Sequence, residues 1–166
     1  TPTLVEEEDT KISYLLYETN CNQIITKQNA DITVNASLLS RMMTCFIALE
    51  NFSLTDSIIA NESSKSYTGG YSIVKEKAYT VDTLVKAALI GNADNAARLL
   101  ASQICAKKNI TENDFIKTMN DRAASFNMKN TVFANADGSY NEFQLTTVYD
   151  TALFVANAVK NSRFSN

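Results

Sequence analysis

Histidine is missing from all 166 residues. Its absence removes Ser-His and Cys-His mechanisms together with the commonest metal ligand, so any catalysis would have to use another base. Cysteine is scarce. Cys21, Cys45 and Cys105 cannot all pair within one chain, and their spacing matches no CxxC or zinc pattern. They read as structural thiols, and neither a metal nor another cofactor is expected. Basic residues do not dominate either: 15 Lys and Arg face 18 Asp and Glu, for a formal net charge of -3 and a pI near 5.0. No basic stripe exists to release counterions from a polyanion, which excludes nucleic acid as a partner. Long apolar runs are lacking too. "CFIAL" (45–49) and "LVKAALI" (84–90) fall far short of the roughly 20 residues a spanning helix needs, so no membrane span is expected. There is no initiating methionine and no signal peptide, as in a mature chain whose export signal has been removed.

What is present suits one domain with one real core. Residues 1–10, with their "EEED" run, read as a flexible solvated tail, and 11–166 as the folded part. "KISYLLY" (11–17) and "QIITK" (23–27) flank the polar turn "ETNCN", where Asn22 can take a positive φ, and this predicts a hairpin. Leu38 to Glu50 is apolar on nearly every side, which predicts a helix buried through the middle of the domain and makes Arg41 conspicuous. Loops and short strands are expected over 53–79. Thr80 caps a helix over about 81–90, a break falls at Gly91 and Asn92, and a second helix follows. "TEND" (111–114) and "TVYD" (147–150) match the capping-box pattern, opening helices near 112–126 and 148–160.

Five co-linear segments carry a resemblance: "ETNCNQIITKQNAD", "NASLLSRMMT", "YTVDTLVKAALIGNADNAA", "MNDRAASFNMKNTVFANADG" and "TTVYDTALF". Together, over about residues 11 to 160, they resemble the serine D-alanyl-D-alanine carboxypeptidases, the low-mass penicillin-binding family. The resemblance implies an α/β (α+β) fold of the β-lactamase/transpeptidase type, a mostly antiparallel sheet against a helical cluster. It also implies action on peptidoglycan stem peptides, hence an extracytoplasmic place at the bacterial cell envelope. Family chemistry depends on S-x-x-K at the start of the buried helix, where Ser attacks and Lys, one turn on, accepts the proton. Anchored on "MMT" and "IALE", the Ser position falls on Leu38 and the Lys position on Arg41. Leu has no nucleophilic atom, and Arg stays protonated at any physiological pH. In the second motif, S-x-N, Asn92 stands for the Ser and Asp94 for the Asn. K-T-G, which the family carries on a later strand, does not occur in these 166 residues, so the C-terminal strands of the fold are expected to be absent from this chain.

Ser37 and Ser40 are the fallback nucleophiles if the register slips, but neither has Lys three residues on, and Ser37 is expected to cap the helix. The one literal S-x-x-K, Ser72 to Lys75, lies in an extended segment whose i and i+3 side chains diverge, and reads as chance. Cys45 reads as a buried filler. The simultaneous Arg41 and Asp94 replacements predict an ion pair across the cleft. The reading that follows is a degenerate, catalytically inactive homologue with a binding or scaffolding role. The alternatives are an active carboxypeptidase using Ser37 or Ser40, and the partner-binding half of a split domain. In the last case a protein partner or second chain would complete the sheet at the hairpin.

Overall fold

The computed structural model describes residues 12–67 and 69–165, so the tail expected over 1–10 and the Lys11 start of the hairpin lie outside the described residues. The hairpin forms as expected, with β1 (Tyr14–Glu18) antiparallel to β2 (Gln23–Gln28) and a bulge between Leu16 and Tyr17. Asn22 takes the left-handed conformation at φ 53°, which an Asn side chain tolerates. In the turn the Cys21 thiol and N–H, followed by the Asn20 N–H, hold the Glu18 carboxyl down at about 2. The same contact pushes the Cys21 thiol up, away from the reactive thiolate.

Three more ladders are short: β3 (Val34–Asn35) with β8 (Leu145–Thr146), β4 (Ser57–Ile59) with β7 (Ala78–Thr80), and β5 (Ser64–Lys65) with β6 (Ser72–Ile73). Each is antiparallel and two-stranded. Helix α1 (Ser37–Asn51) runs through the core, with Met43, Cys45, Ile47, Ala48 and Leu49 essentially inaccessible. Around it lie α2 (Val81–Leu89), α3 (Asp94–Lys108), α4 (Glu112–Ser125), α5 (Val148–Ala158) and the single turn α6 (Ser162–Ser165). Phe46 of α1 meets Phe126, Phe154 and Phe164 edge to face at 5.6 to 6.0 Å, which fixes α1 against the end of α4, the middle of α5, and α6.

Local chemistry sets the helix starts. Thr80 accepts from Thr83 N–H at 3.2 Å, and Thr111 and Asp114 complete a reciprocal capping box. The Thr111 hydroxyl and N–H hold the Asp114 carboxyl below its usual range. A depressed carboxylate contributes stability that is present above its unfolded pKa and lost as pH falls through the folded one, so this cap fails only in acid. Thr111→Ala is expected to cost about 1 kcal/mol in a denaturant titration. At α5 only half of the expected box forms. Thr147 accepts from Asp150 N–H at 3.0 Å, but the Asp150 carboxylate turns to Asn130 N–H at 2.7 Å and the Thr131 hydroxyl at 2.8 Å. That buried acid ties the end of the 126–131 segment to α5.

Candidate active site

The cleft begins at the first turn of α1. The helix starts at Ser37, so Ser37 is not its cap as expected; Ala36 holds the cap position and makes no side-chain cap bond. The orphan N–H of Ser37 goes instead to Asn35 Oδ1 at 3.1 Å, and the Ser37 hydroxyl donates to the same oxygen. An amide oxygen orients a hydroxyl but does not take its proton. Leu38 is 55% exposed on the first turn of α1, while Arg41, one turn on, is 5% exposed. Ser40 is fully buried and its Oγ has no hydrogen-bond partner among the described residues. Cys45 is buried as expected, and burial pushes its thiol up to about 12 despite the nearby Arg41 charge. Ser72 lies in β6, and the Lys75 ammonium, on the exposed turn beyond it, sits 3.9 Å from the Glu76 carboxylate.

The second half of the cleft is the α2–α3 junction. Asn92 turns the chain in the left-handed region at φ 52°, and Asp94 opens α3, completely buried. Its Oδ1 accepts from the Ser66 hydroxyl and from Tyr67 N–H at 2.8 Å, and its Oδ2 accepts from Arg98 Nη2 at 3.2 Å. Among the described residues the salt bridge of Asp94 is to Arg98, not to Arg41 as expected. The reason is local, since residues four apart on one helix already share a face and no reach across the cleft is needed. Arg98 also binds Asp137 through Nη2 and, at 3.0 Å, through Nε. Burial opposes the Arg98 charge, but the hydrogen bond and charge of Asp137, then those of Asp94, outweigh it and push the guanidinium up.

Three segments are joined by the Asp94–Arg98–Asp137 triad: the β5–β6 loop through Ser66 and Tyr67, α3 through Asp94 and Arg98, and the 134–139 loop through Asp137. That last loop lies directly on α1, for a Cβ placed on Gly138 would come within 2.2 Å of the Ser37 carbonyl oxygen and 3.2 Å of Arg41 Cγ. Ser66, Arg98 and Asp137 are participants that the sequence reading missed. The acid-to-base spacing of Asp94 and Arg98 was a usable signal; Ser66 and Asp137, distant in sequence, gave none. Among the described residues no cluster of three or more His, Cys, Asp or Glu side chains is placed to hold a metal ion. The described bonds bring no base to Ser37 or Ser40, and the carboxylate nearest a hydroxyl, Asp94, is already engaged by Arg98 and Tyr67.

Comparison with known proteins agrees with this architecture. The family model described as D-alanyl-D-alanine carboxypeptidase, peptidase S11, matches residues 3–165. The D-alanyl-D-alanine carboxypeptidase DacF of Bacillus subtilis is 24% identical over 155 residues, which are 89% of this chain and 39% of the relative. Among solved structures, the D-alanyl-D-alanine carboxypeptidase DacD of Francisella tularensis superposes with a TM-score of 0.82 at 24% identity, covering 100% of this chain and 41% of its own. Penicillin binding protein 5 of Haemophilus influenzae gives a TM-score of 0.74 at 24% identity, covering 97% of this chain and 47% of its own. The chain thus spans about two fifths of the length of the curated relative it matches. With nearly every residue inside the family match and the fold shared with penicillin-binding proteins, the chain belongs to the D-alanyl-D-alanine carboxypeptidase family.

Proposed function

We propose that this chain is a catalytically silent member of its family that binds peptidoglycan at the bacterial cell envelope without cleaving it. The observation that carries the reading is Leu38, exposed on the first turn of α1, with Arg41 buried one turn behind it. A hydrocarbon stands where a nucleophile is required and a permanent cation where a base is required. Acyl transfer from Ser37 or Ser40 has the geometry against it, because one hydroxyl rests on an amide oxygen and the other is sealed in the core. Sedimentation with purified sacculi tests the binding half of the reading. The chain is expected in the pellet, with no free D-alanine released, and a chain that stays wholly in the supernatant would overturn it.

A second reading, the partner-binding half of a split domain, is favoured by the hairpin. Leu15, Leu16 and Tyr17 line a groove with Val148, Ala152 and Val155 of α5, while Tyr14, Ile25 and much of Leu16 stand exposed. Among the described residues no third strand pairs with β1 or β2. A two-stranded hairpin with an apolar outer face is marginal alone and invites a further strand, from a second copy or another protein. Light scattering coupled to size exclusion, with amide exchange over 14–28, checks this. Fast exchange in the isolated chain that slows on assembly is expected; a monomer with protected hairpin amides would rule it out.

A further inference from the structure

The segment 134–144 combines a fixed backbone with two aromatic rings left in water. Gln144, fully buried, accepts from the N–H groups of Ala134 and Asn135 through its Oε1 and from Ala36 N–H through its carbonyl, at 3.1 to 3.2 Å. Asn135 accepts from Gly138 N–H at 2.9 Å and donates to the Ser139 carbonyl at 2.8 Å. Asn141 accepts from Phe143 N–H at 2.9 Å, while its carbonyl receives Asn35 Nδ2 at 2.8 Å, beside the start of α1. Despite these restraints Tyr140 is 81% and Phe143 70% exposed, and both border one shallow, open patch of surface with Asn141 and Glu142.

Large rings on a loop whose conformation is already settled lose little entropy on binding, which is the physical signature of a recognition element. Beside the rings, Asn141, Glu142 and Tyr140 add amide, carboxylate and hydroxyl groups, a mix of donors and acceptors that suits hydroxyls. A single negative charge, on a chain of net charge -3, disfavours acidic ligands. Pyranose rings meet both requirements: polarised C–H bonds on one face suit the negative face of an aromatic ring, and equatorial hydroxyls exchange hydrogen bonds with amide and carboxylate groups. We propose that the 139–143 loop is a binding site for an uncharged sugar chain, stacked on Tyr140 and Phe143 and hydrogen-bonded by Asn141 and Glu142. The proposal deepens the peptidoglycan-binding reading, relying on it only for the natural source of the sugar.

Titration of the whole chain with chitotetraose, followed by calorimetry, tests the loop directly. Saturable binding is expected, weakened about tenfold or more in Tyr140→Ala and in Phe143→Ala and little changed in Tyr140→Phe, which keeps the stacking face. Both rings are exposed, so melting curves should match the parent. Tetragalacturonate, the acidic counterpart, should bind more weakly than chitotetraose. Absence of saturable chitotetraose binding, equal affinity in the alanine variants, equal binding of the acidic sugar, or loop-dependent binding of an uncharged peptide in its place would each overturn the proposal. Sacculi keep the two readings apart. If Tyr140→Ala sediments as well as the parent, the loop assignment fails and peptidoglycan binding stands; if the parent binds chitotetraose but ignores sacculi, the reverse holds.

Discussion

Asp94→Ala is expected to lower stability by about 3 kcal/mol, seen as a fall in melting temperature of about 6 to 12 °C for a chain of this size. Its carboxylate is wholly buried and receives the Ser66 hydroxyl, Tyr67 N–H and the Arg98 guanidinium. Removing it takes an acceptor from the Ser66 hydroxyl and from Tyr67 N–H, at about 1 to 3 kcal/mol for a buried donor left unsatisfied. Arg98 is 41% exposed and keeps Asp137, so the abandoned guanidinium reaches water and the total stays at the low end for a broken buried pair. Asp94→Asn should cost less, because the amide oxygen still accepts from the β5–β6 loop. Equal stability of Asp94→Ala and the parent would show that the triad does not hold the cleft walls together.

Gly138→Ala should be at least as damaging, by about 3 kcal/mol or more, and denaturant unfolding measures it. Two independent costs combine. The residue sits at φ +73°, where a side chain is strained by about 1 kcal/mol, and its Cβ would press to 2.2 Å of the Ser37 carbonyl oxygen, a backbone atom of α1 that cannot swing aside. Either α1 or the 134–139 loop must shift, and with the loop go Asp137 and its bond to Arg98. Asp94→Ala and Gly138→Ala therefore act on one connected unit, and their combined cost should be less than the sum.

The legible parts of the fold are those written in short-range chemistry. Asn22, Thr80, Thr111 and the apolar run of α1 each state a turn, a cap or a buried helix within a few residues, and each forms as expected. Leu38, Arg41, Asn92 and Asp94, the positions that the family's motifs single out as degenerate in the proposed reading, lie on the first turn of α1 and at the α2–α3 junction. What failed was any statement about which side chain a buried charge would choose. Arg41 and Asp94 carry opposite charges, yet Arg98, four residues along the helix from Asp94, already shares its face. Asp150 shows the same limit: the capping pattern is there, but two donors from residues 130 and 131, folded back over α5, compete for the acid and win. The placing of the aromatic loop at 139–143 likewise depends on segments some hundred residues apart meeting at the start of α1, where Asn35 Nδ2 donates to the Asn141 carbonyl.

The central claim is that the catalytic machinery has been dismantled, and intact-mass spectrometry after prolonged incubation with penicillin tests it most directly. Acylation needs only a competent nucleophile and base, not the natural substrate. The mass is expected to stay that of the free chain, and restoring Leu38→Ser with Arg41→Lys is expected to yield little adduct, since Asn92 and Asp94 leave proton transfer unsupported and the members of a catalytic unit act together. A stoichiometric penicilloyl adduct on any serine of the unaltered chain, Ser37 and Ser40 included, would contradict the account.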